Sequence, residues 1–171
     1  MILSDVTIKD IILNKQVYLV NPFNPDQLQP CSYDLSLNCE LKTIHGKSID
    51  LRQSSYKLKP NEFLLGSTEE KVHIPRDLVG HVDGKSSIGR LGVFIHVSSG
   101  YIDAGYTGNI TLEIFNCSDK EFELYHGMPI AQIVFETLTT PVDRPYGHRE
   151  LNSHYTKRYS NGTVLSRWDD G

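Results

Sequence analysis

The 171-residue chain contains no apolar run approaching the ~20 residues that cross a bilayer. Its first residues, Met1-Ile2-Leu3-Ser4-Asp5, put an acid where a secretion signal would be apolar and have no positively charged stretch before them. A cytoplasmic location is expected. Cysteine is scarce: Cys31, Cys39 and Cys117 are odd in number and widely spaced, which excludes a disulfide framework and a CxxC zinc site and leaves each as a reduced packing residue. The chain also lacks any Lys/Arg cluster, and its formal net charge is -4 with a pI near 5.9. A nucleic-acid footprint or a polybasic membrane patch needs dense positive charge, so both are excluded, and an anionic ligand would have to be held locally. No internal repeat, low-complexity tract or linker divides the sequence, so a single domain over 1–171 is expected.

What is present is an ordinary globular composition, 39% hydrophobic and 22% charged. Ser4-Asp5 followed by Ile8, Ile11 and Ile12 gives a capping residue and then apolar positions three and four apart, which predicts one early helix ending near Asn14-Lys15. After that the period changes. Ser32 to Leu37, Glu62 to Ser67, Lys71 to Ile74, Leu78 to Val82, Asn109 to Phe115, Phe122 to Leu124 and Ile130 to Phe135 are short segments separated by Gly, Pro, Asn or Asp. The fold class is therefore mainly β, a sandwich or barrel rather than alternating βαβ units. From Pro141 onward the apolar alternation stops, and this tail is either disordered or ordered by covering something.

Two segments carry chemistry. Gly84-Lys85-Ser86-Ser87-Ile88-Gly89-Arg90-Leu91-Gly92 has a turn glycine, Ser86 or Ser87 as the cap of a short helix, and Ser86 and Arg90 one helical turn apart. Such a loop offers backbone N–H groups, two hydroxyls and two cations to a phosphate chain, yet it lacks the GxxxxGK[ST] spacing of a Walker A loop. Alone it reads better as a capped surface helix with solvated Lys and Arg. In the second segment, Ser98 to Asn116, three glycines and a Tyr-Thr-Gly turn lead into a strand on which Ile110, Leu112 and Ile114 point one way and Thr111, Glu113 and Phe115 the other. Glu113, flanked by Leu and Ile, either lies on a solvated face or is aimed into a pocket for proton transfer. Asp103 in the preceding turn is either an Asx-turn residue or part of the same site.

Taken in order, Gly-Lys-Ser-Ser-Ile-Gly-Arg, Ile-Asp-Ala-Gly-Tyr-Thr-Gly-Asn-Ile-Thr-Leu-Glu and Gly-Met-Pro-Ile-Ala-Gln resemble the dCTP deaminases of the trimeric dUTPase superfamily. Met1-Ile-Leu-Ser-Asp, Gln29-Pro-Cys-Ser-Tyr-Asp-Leu, Arg144-Pro-Tyr-Gly and Ser166-Arg167 extend the resemblance over almost the whole chain. It implies a dUTPase-like distorted β-barrel or jelly roll, with an N-terminal helix and a short helix after the GKSS turn. It also implies a homotrimer with active sites between subunits. The position of Glu113, apolar in simple dUTPases, matches the deaminase general base, while Ser86, Arg90 and the carbonyl of Ser99 match the groups that hold the attacking water. Zinc-dependent nucleobase deaminases use HxE and PCxxC. By contrast His73, His81, His96, His126, His148 and His154 show no ligand spacing with Cys, and they are read as packing or surface histidines.

The same resemblance assigns Lys85, Ser86, Ser87, Ile88, Gly89 and Arg90 to the triphosphate, Asp103 to the sugar, Thr111, Leu112 and Glu113 to the base edge, and Gln132 and Tyr146 to the phosphate side. Magnesium would be held mainly by substrate phosphates, with no protein metal site and no zinc. The tail departs from the family pattern of Lys-Tyr followed by Gln, so His154, Lys157 and Arg158 are the candidates to replace the usual lysine and glutamine, and which of them does so, like inhibition by dTTP, stays open. The turn Ser99-Gly100-Tyr101 before Asp103 resembles the bifunctional enzymes that carry dCTP to dUMP. Gly100 there would leave room in the pocket where monofunctional enzymes carry a bulky pair. The alternatives are a monofunctional deaminase releasing dUTP and a nucleotide-sensing binding protein of the same superfamily.

Overall fold

A computed structural model describes residues 1–15, 17–98, 100–153, 155 and 162–166. It opens with helix α1 (Asp5–Leu13), whose N-cap Ser4 accepts a hydrogen bond from the Thr7 N–H at 3.4 Å and whose end is closed by the Asn14 N–H on the Asp10 carbonyl. A 3-10 turn, Pro25–Gln27, follows the first strand. The strands are β1 (Val20–Asn21), β2 (Leu28–Gln29), β3 (Ser32–Ser36), β4 (Glu40–Lys42), β5 (Ser48–Asp50), β6 (Tyr56–Leu58), β7 (Phe63–His73), β8 (Leu78–Gly84), β9 (Val93–Phe94), β10 (Tyr101–Ile102), β11 (Thr107–Asn116), β12 (Phe122–Leu124) and β13 (Pro129–Thr137). Between β8 and β9 lies the short helix α2 (Ser86–Gly89).

The fold is mostly β, as expected. One sheet runs β5-β4-β7-β11-β9 with β1 also on β7, a second runs β10-β8-β13-β3-β2, and β12 pairs with β6 apart from both. Among the described residues these ladders stay separate rather than closing into one barrel, with an isolated bridge, Leu37 to Thr68, linking the two large sheets. Leu112 and Ile114 from the first sheet and Ile133 and Phe135 from the second belong to a single buried core, so alternate residues on each strand face away from it. That alternation places Thr111 and Glu113 on the outer face of β11.

One element differs from the sequence reading. Glu62 to Ser67 and Lys71 to Ile74 form one eleven-residue strand, β7, because the polar stretch between them is satisfied internally. Asn109 Nδ2 donates to the carbonyls of Thr68, Glu69 and Glu70 at 2.9, 3.2 and 3.3 Å, across a register shift between Asn109 and Thr111. The buried Glu70 carboxylate accepts from Gln27 Nε2 at 2.9 Å and the Ser36 N–H at 2.9 Å. The strand therefore runs through a polar patch in which Asn109 and Glu70 are paired, while Ser67 Oγ beside them is buried without a partner.

Candidate active site

The turn before β11 is shaped by glycine. Gly105 has φ +95, and a Cβ there would meet Pro145 Cβ at 2.5 Å and the Tyr146 nitrogen at 2.9 Å. Its absence lets the tail lie against the turn, where the Tyr146 N–H donates to the Ala104 carbonyl at 2.7 Å. Arg76 secures the start of this segment, its guanidinium donating to the carbonyls of Val142 and Asp143. The tail is thereby brought beside the outer face of β11, and the two enclose a cleft of about 900 Å³.

Asp103, Thr111, Glu113 and Tyr146 all line this cleft, which brings together residues far apart in the chain. The Glu113 Oε2 accepts from the Val97 N–H at 3.1 Å and the Ser98 N–H at 3.3 Å, which fixes the carboxylate at the mouth of the loop leading to β10. Burial pushes the Tyr146 phenol above its ordinary pKa, opposed by the Tyr155 N–H it accepts at 2.8 Å and reinforced by the neighbouring Asp103 carboxylate. Tyr106 lies edge-on to Tyr146 at 5.6 Å, burial likewise pushes its phenol above the ordinary value, and its hydroxyl donates to the Asn109 carbonyl. Beside the outer edge of β11, β9 pairs only with Phe115 and Asn116, so among the described residues no strand covers the edge next to Thr111 and Glu113.

Other expected residues lie elsewhere. Leu112 is fully buried in the core, so its side chain does not reach the cleft. Lys85, Ser86, Ser87, Ile88, Gly89 and Arg90 are not among the cleft's lining residues. Neither serine caps α2: its N-cap is Lys85, with no side-chain cap bond, and Ile88 is buried in the core. Lys85 is ion-paired with Asp34, and Gln132 lies between Asp34 and Asp83 in the ladder of β3, β13 and β8. The second group thus gathers on the other sheet. Ser99, His154, Lys157 and Arg158 lie outside the described residues.

Gly100 requires a correction. A Cβ there would approach the Val82 carbonyl to 2.6 Å and His81 Cδ2 to 2.9 Å, and the Gly100 carbonyl accepts from the Val82 N–H at 2.8 Å. The glycine allows close packing on β8, and the room it was expected to leave in the pocket is taken by that strand. The sequence reading also gave no site role to His96, Tyr106 or Arg144, which line the cleft. The Tyr-Thr-Gly turn marked Tyr106, and Arg144 stands two residues before Tyr146, whereas nothing in the sequence distinguished His96 from the other histidines.

A sequence model described as dCTP deaminase-like matches residues 2–138. The chain belongs to this family. It is 40% identical to a dUMP-forming dCTP deaminase of Methanobrevibacter smithii, covering 92% of this chain and 91% of that one. It is 41% identical to a dCTP deaminase of Haloarcula marismortui, covering 91% and 89%. Among solved structures, 2'-deoxycytidine 5'-triphosphate deaminase from Agrobacterium tumefaciens superposes with a TM-score of 0.68 at 24% identity over 80% of this chain, which spans about half of that protein at 48%. An equine infectious anaemia virus (EIAV) dUTPase shares the fold with a TM-score of 0.51 at 20% identity, over 78% of this chain and 94% of that one. No helix of the described residues is long and apolar enough to cross a membrane.

Proposed function

We propose that this protein is a zinc-independent dCTP deaminase that carries its substrate on to dUMP, with ammonia and diphosphate as the other products. The observation that carries the reading is a carboxylate, Glu113, standing out of the core on β11 and sharing a cleft with Asp103. In the first step Glu113 takes a proton from water as the oxygen bonds to the amine-bearing ring carbon, and the proton passes to the amine as the carbon–nitrogen bond breaks. In the second, Asp103 prepares a water that attacks the first phosphorus, and the bond to the bridging oxygen breaks to release diphosphate. Names of relatives at 37–41% identity, most of them dUMP-forming, support the two-step product.

We also propose a homotrimer in which each site takes Glu113 and Asp103 from one subunit and the Lys85–Arg90 loop from the next. Among the described residues, the cleft of one chain is lined by two carboxylates, Asp103 and Glu113, and by one permanent cation, Arg144. A triphosphate beside them needs more positive charge than these described residues carry, and Lys85 and Arg90, which lie outside that lining, would add it from a neighbouring subunit alongside Lys157 and Arg158 of the tail. The stretch from Leu91 to Tyr101 exposes Leu91, Phe94, Val97 and Tyr101, an apolar surface suited to a second copy. Ser86, Arg90 and the Ser99 carbonyl then hold the water and steady the tetrahedral intermediate.

Magnesium fits this arrangement. Among the described residues no three His, Cys, Asp or Glu side chains converge on a metal position, while Asp34 Oδ1, beside Lys85, is buried without a hydrogen-bond partner. The ion would ride on the phosphates with most of its waters and neutralise their charge, with Asp34 as an acceptor for one of those waters. The tail beyond Pro141, with Tyr146 on the phosphate side, would close over the nucleotide in a cytoplasmic enzyme.

Chromatography of products from dCTP decides the reading. The expected result is dUMP and diphosphate with little free dUTP at early times, and hydrolysis of added dUTP. Stable accumulation of dUTP would establish the monofunctional rival, which the name of the Haloarcula relative favours. Binding without any turnover would establish the sensor.

A further inference from the structure

The segment Gly162–Ser166 is seated on the outer face of the first sheet by four hydrogen bonds from both sides of β7. On the β11 side, the Gly162 N–H donates to Asn109 Oδ1 at 3.2 Å and the Val164 N–H to Thr111 Oγ1 at 3.4 Å. On the β4 side, Thr163 Oγ1 donates to the Glu40 carbonyl at 2.9 Å, and Lys42 Nζ donates to the Thr163 carbonyl at 2.8 Å. Thr163 is 3% exposed, although it lies in a segment with no apolar periodicity. Lys42, Leu65 and Glu113 are register partners in one row across β4, β7 and β11, so the lysine rises from the same face as the candidate base. Glu40 Oε2, 3.3 Å from the ammonium, balances its charge.

We infer that Lys42 and Thr163 form an anchor that seats Gly162–Ser166 as a wall of the cleft, which makes Lys42 a positioning residue for the nucleotide. The inference deepens the proposed function and rests on it for the identity of the ligand. Val164 and Ser166 line the cleft with Thr111 and Glu113, so the anchored segment closes the side of the cleft toward β4. By donating to Thr111 Oγ1, the Val164 N–H also occupies an acceptor site and leaves the hydroxyl proton for another partner, such as an oxygen on the pyrimidine edge. Lys42 supplies the charged member of the four bonds, and its loss removes the strongest of them.

The test measures backbone hydrogen exchange and steady-state kinetics on the full chain. Lys42→Met keeps the aliphatic stem and removes the ammonium, Lys42→Arg keeps a charged donor, and Thr163→Val removes the hydroxyl while keeping the shape. In Lys42→Met, exchange at Gly162 and Val164 should accelerate at least about tenfold and the KM for dCTP should rise about tenfold with kcat little changed, the scale of one charged hydrogen bond. Lys42→Arg should restore both, and Thr163→Val should move exchange and KM in the same direction if Lys42→Met does not fold. Unchanged exchange in both Lys42→Met and Thr163→Val overturns the anchor. Accelerated exchange with KM unmoved overturns the positioning role. A wild-type protein inactive on both dCTP and dUTP sinks the proposed function, and exchange alone then decides the anchor.

Discussion

A carboxylate on a strand between Leu112 and Ile114 has to face away from the core, and in this chain it faces a cleft where two backbone N–H groups hold it. Glu113→Gln keeps the shape and removes the base, so deamination should fall by roughly two or more orders of magnitude, while nucleotide binding measured by calorimetry persists. Near wild-type production of uracil nucleotides would remove Glu113 from the base role. A second residue, Tyr33, governs alkaline stability. Burial pushes its phenol up to about 12, while the hydroxyl accepts the Asn24 N–H at 2.8 Å and donates to Gln27 Oε1 at 3.0 Å. The folded state therefore prefers the neutral phenol, so its contribution is complete below the ordinary tyrosine pKa near 10 and is lost as pH rises through about 12. Tyr33→Phe should cost about 1–3 kcal/mol at neutral pH by orphaning its partners, yet show a shallower loss of stability from pH 10 upward in urea titrations. A slope identical to wild type would show that Tyr33 does not titrate in that transition.

At the scale of elements, α1, β3, β11, β12 and β13 were readable because their periodicity and their stops agree. Ser4 caps, Ile8 is buried, and the alternation from Ile110 to Phe115 matches the pleat. The join of two expected strands into β7 was hidden because Ser67, Thr68 and Glu70 look like a break until Asn109, some forty residues later, is placed beside them. The α2 loop showed its glycines and cations but not the pairing of Lys85 with Asp34, a partner 51 residues away that no local pattern points to. Gly100 shows the same limit, since whether a glycine serves a cavity or a close contact depends on a strand distant in sequence. Gly100→Ala should destabilise by about 1–3 kcal/mol, as overpacking does, through the Val82 carbonyl and His81, on which Tyr101 stacks at 4.9 Å. Because β10 leads directly to Asp103, deamination and triphosphate hydrolysis should decline together. A variant of wild-type melting temperature that loses only hydrolysis would restore a role for Gly100 inside the pocket.

For the whole molecule, the decisive feature is that the expected site falls into two groups on one chain, the cleft with Glu113 and Asp103 and the loop with Ser86 and Arg90. A closed ring with identical interfaces can unite them, each subunit lending its loop to the next. If the proposed homotrimer holds, Glu113→Gln and Arg90→Ala should each be nearly inactive on their own, the latter because water and intermediate lose a charged donor. Co-expressed in equal amounts with different tags, they should recover activity, since every mixed trimer has one interface where an intact Glu113 meets an intact Arg90. Random assembly makes three quarters of the trimers mixed, with one competent site in three, so about a quarter of wild-type activity is expected. Doubly tagged trimers purified from that mixture should hold about a third, because every molecule in that pool has one working site. If the doubly tagged trimers are as inactive as their parents, Glu113 and Arg90 act within one chain and the intersubunit site is wrong.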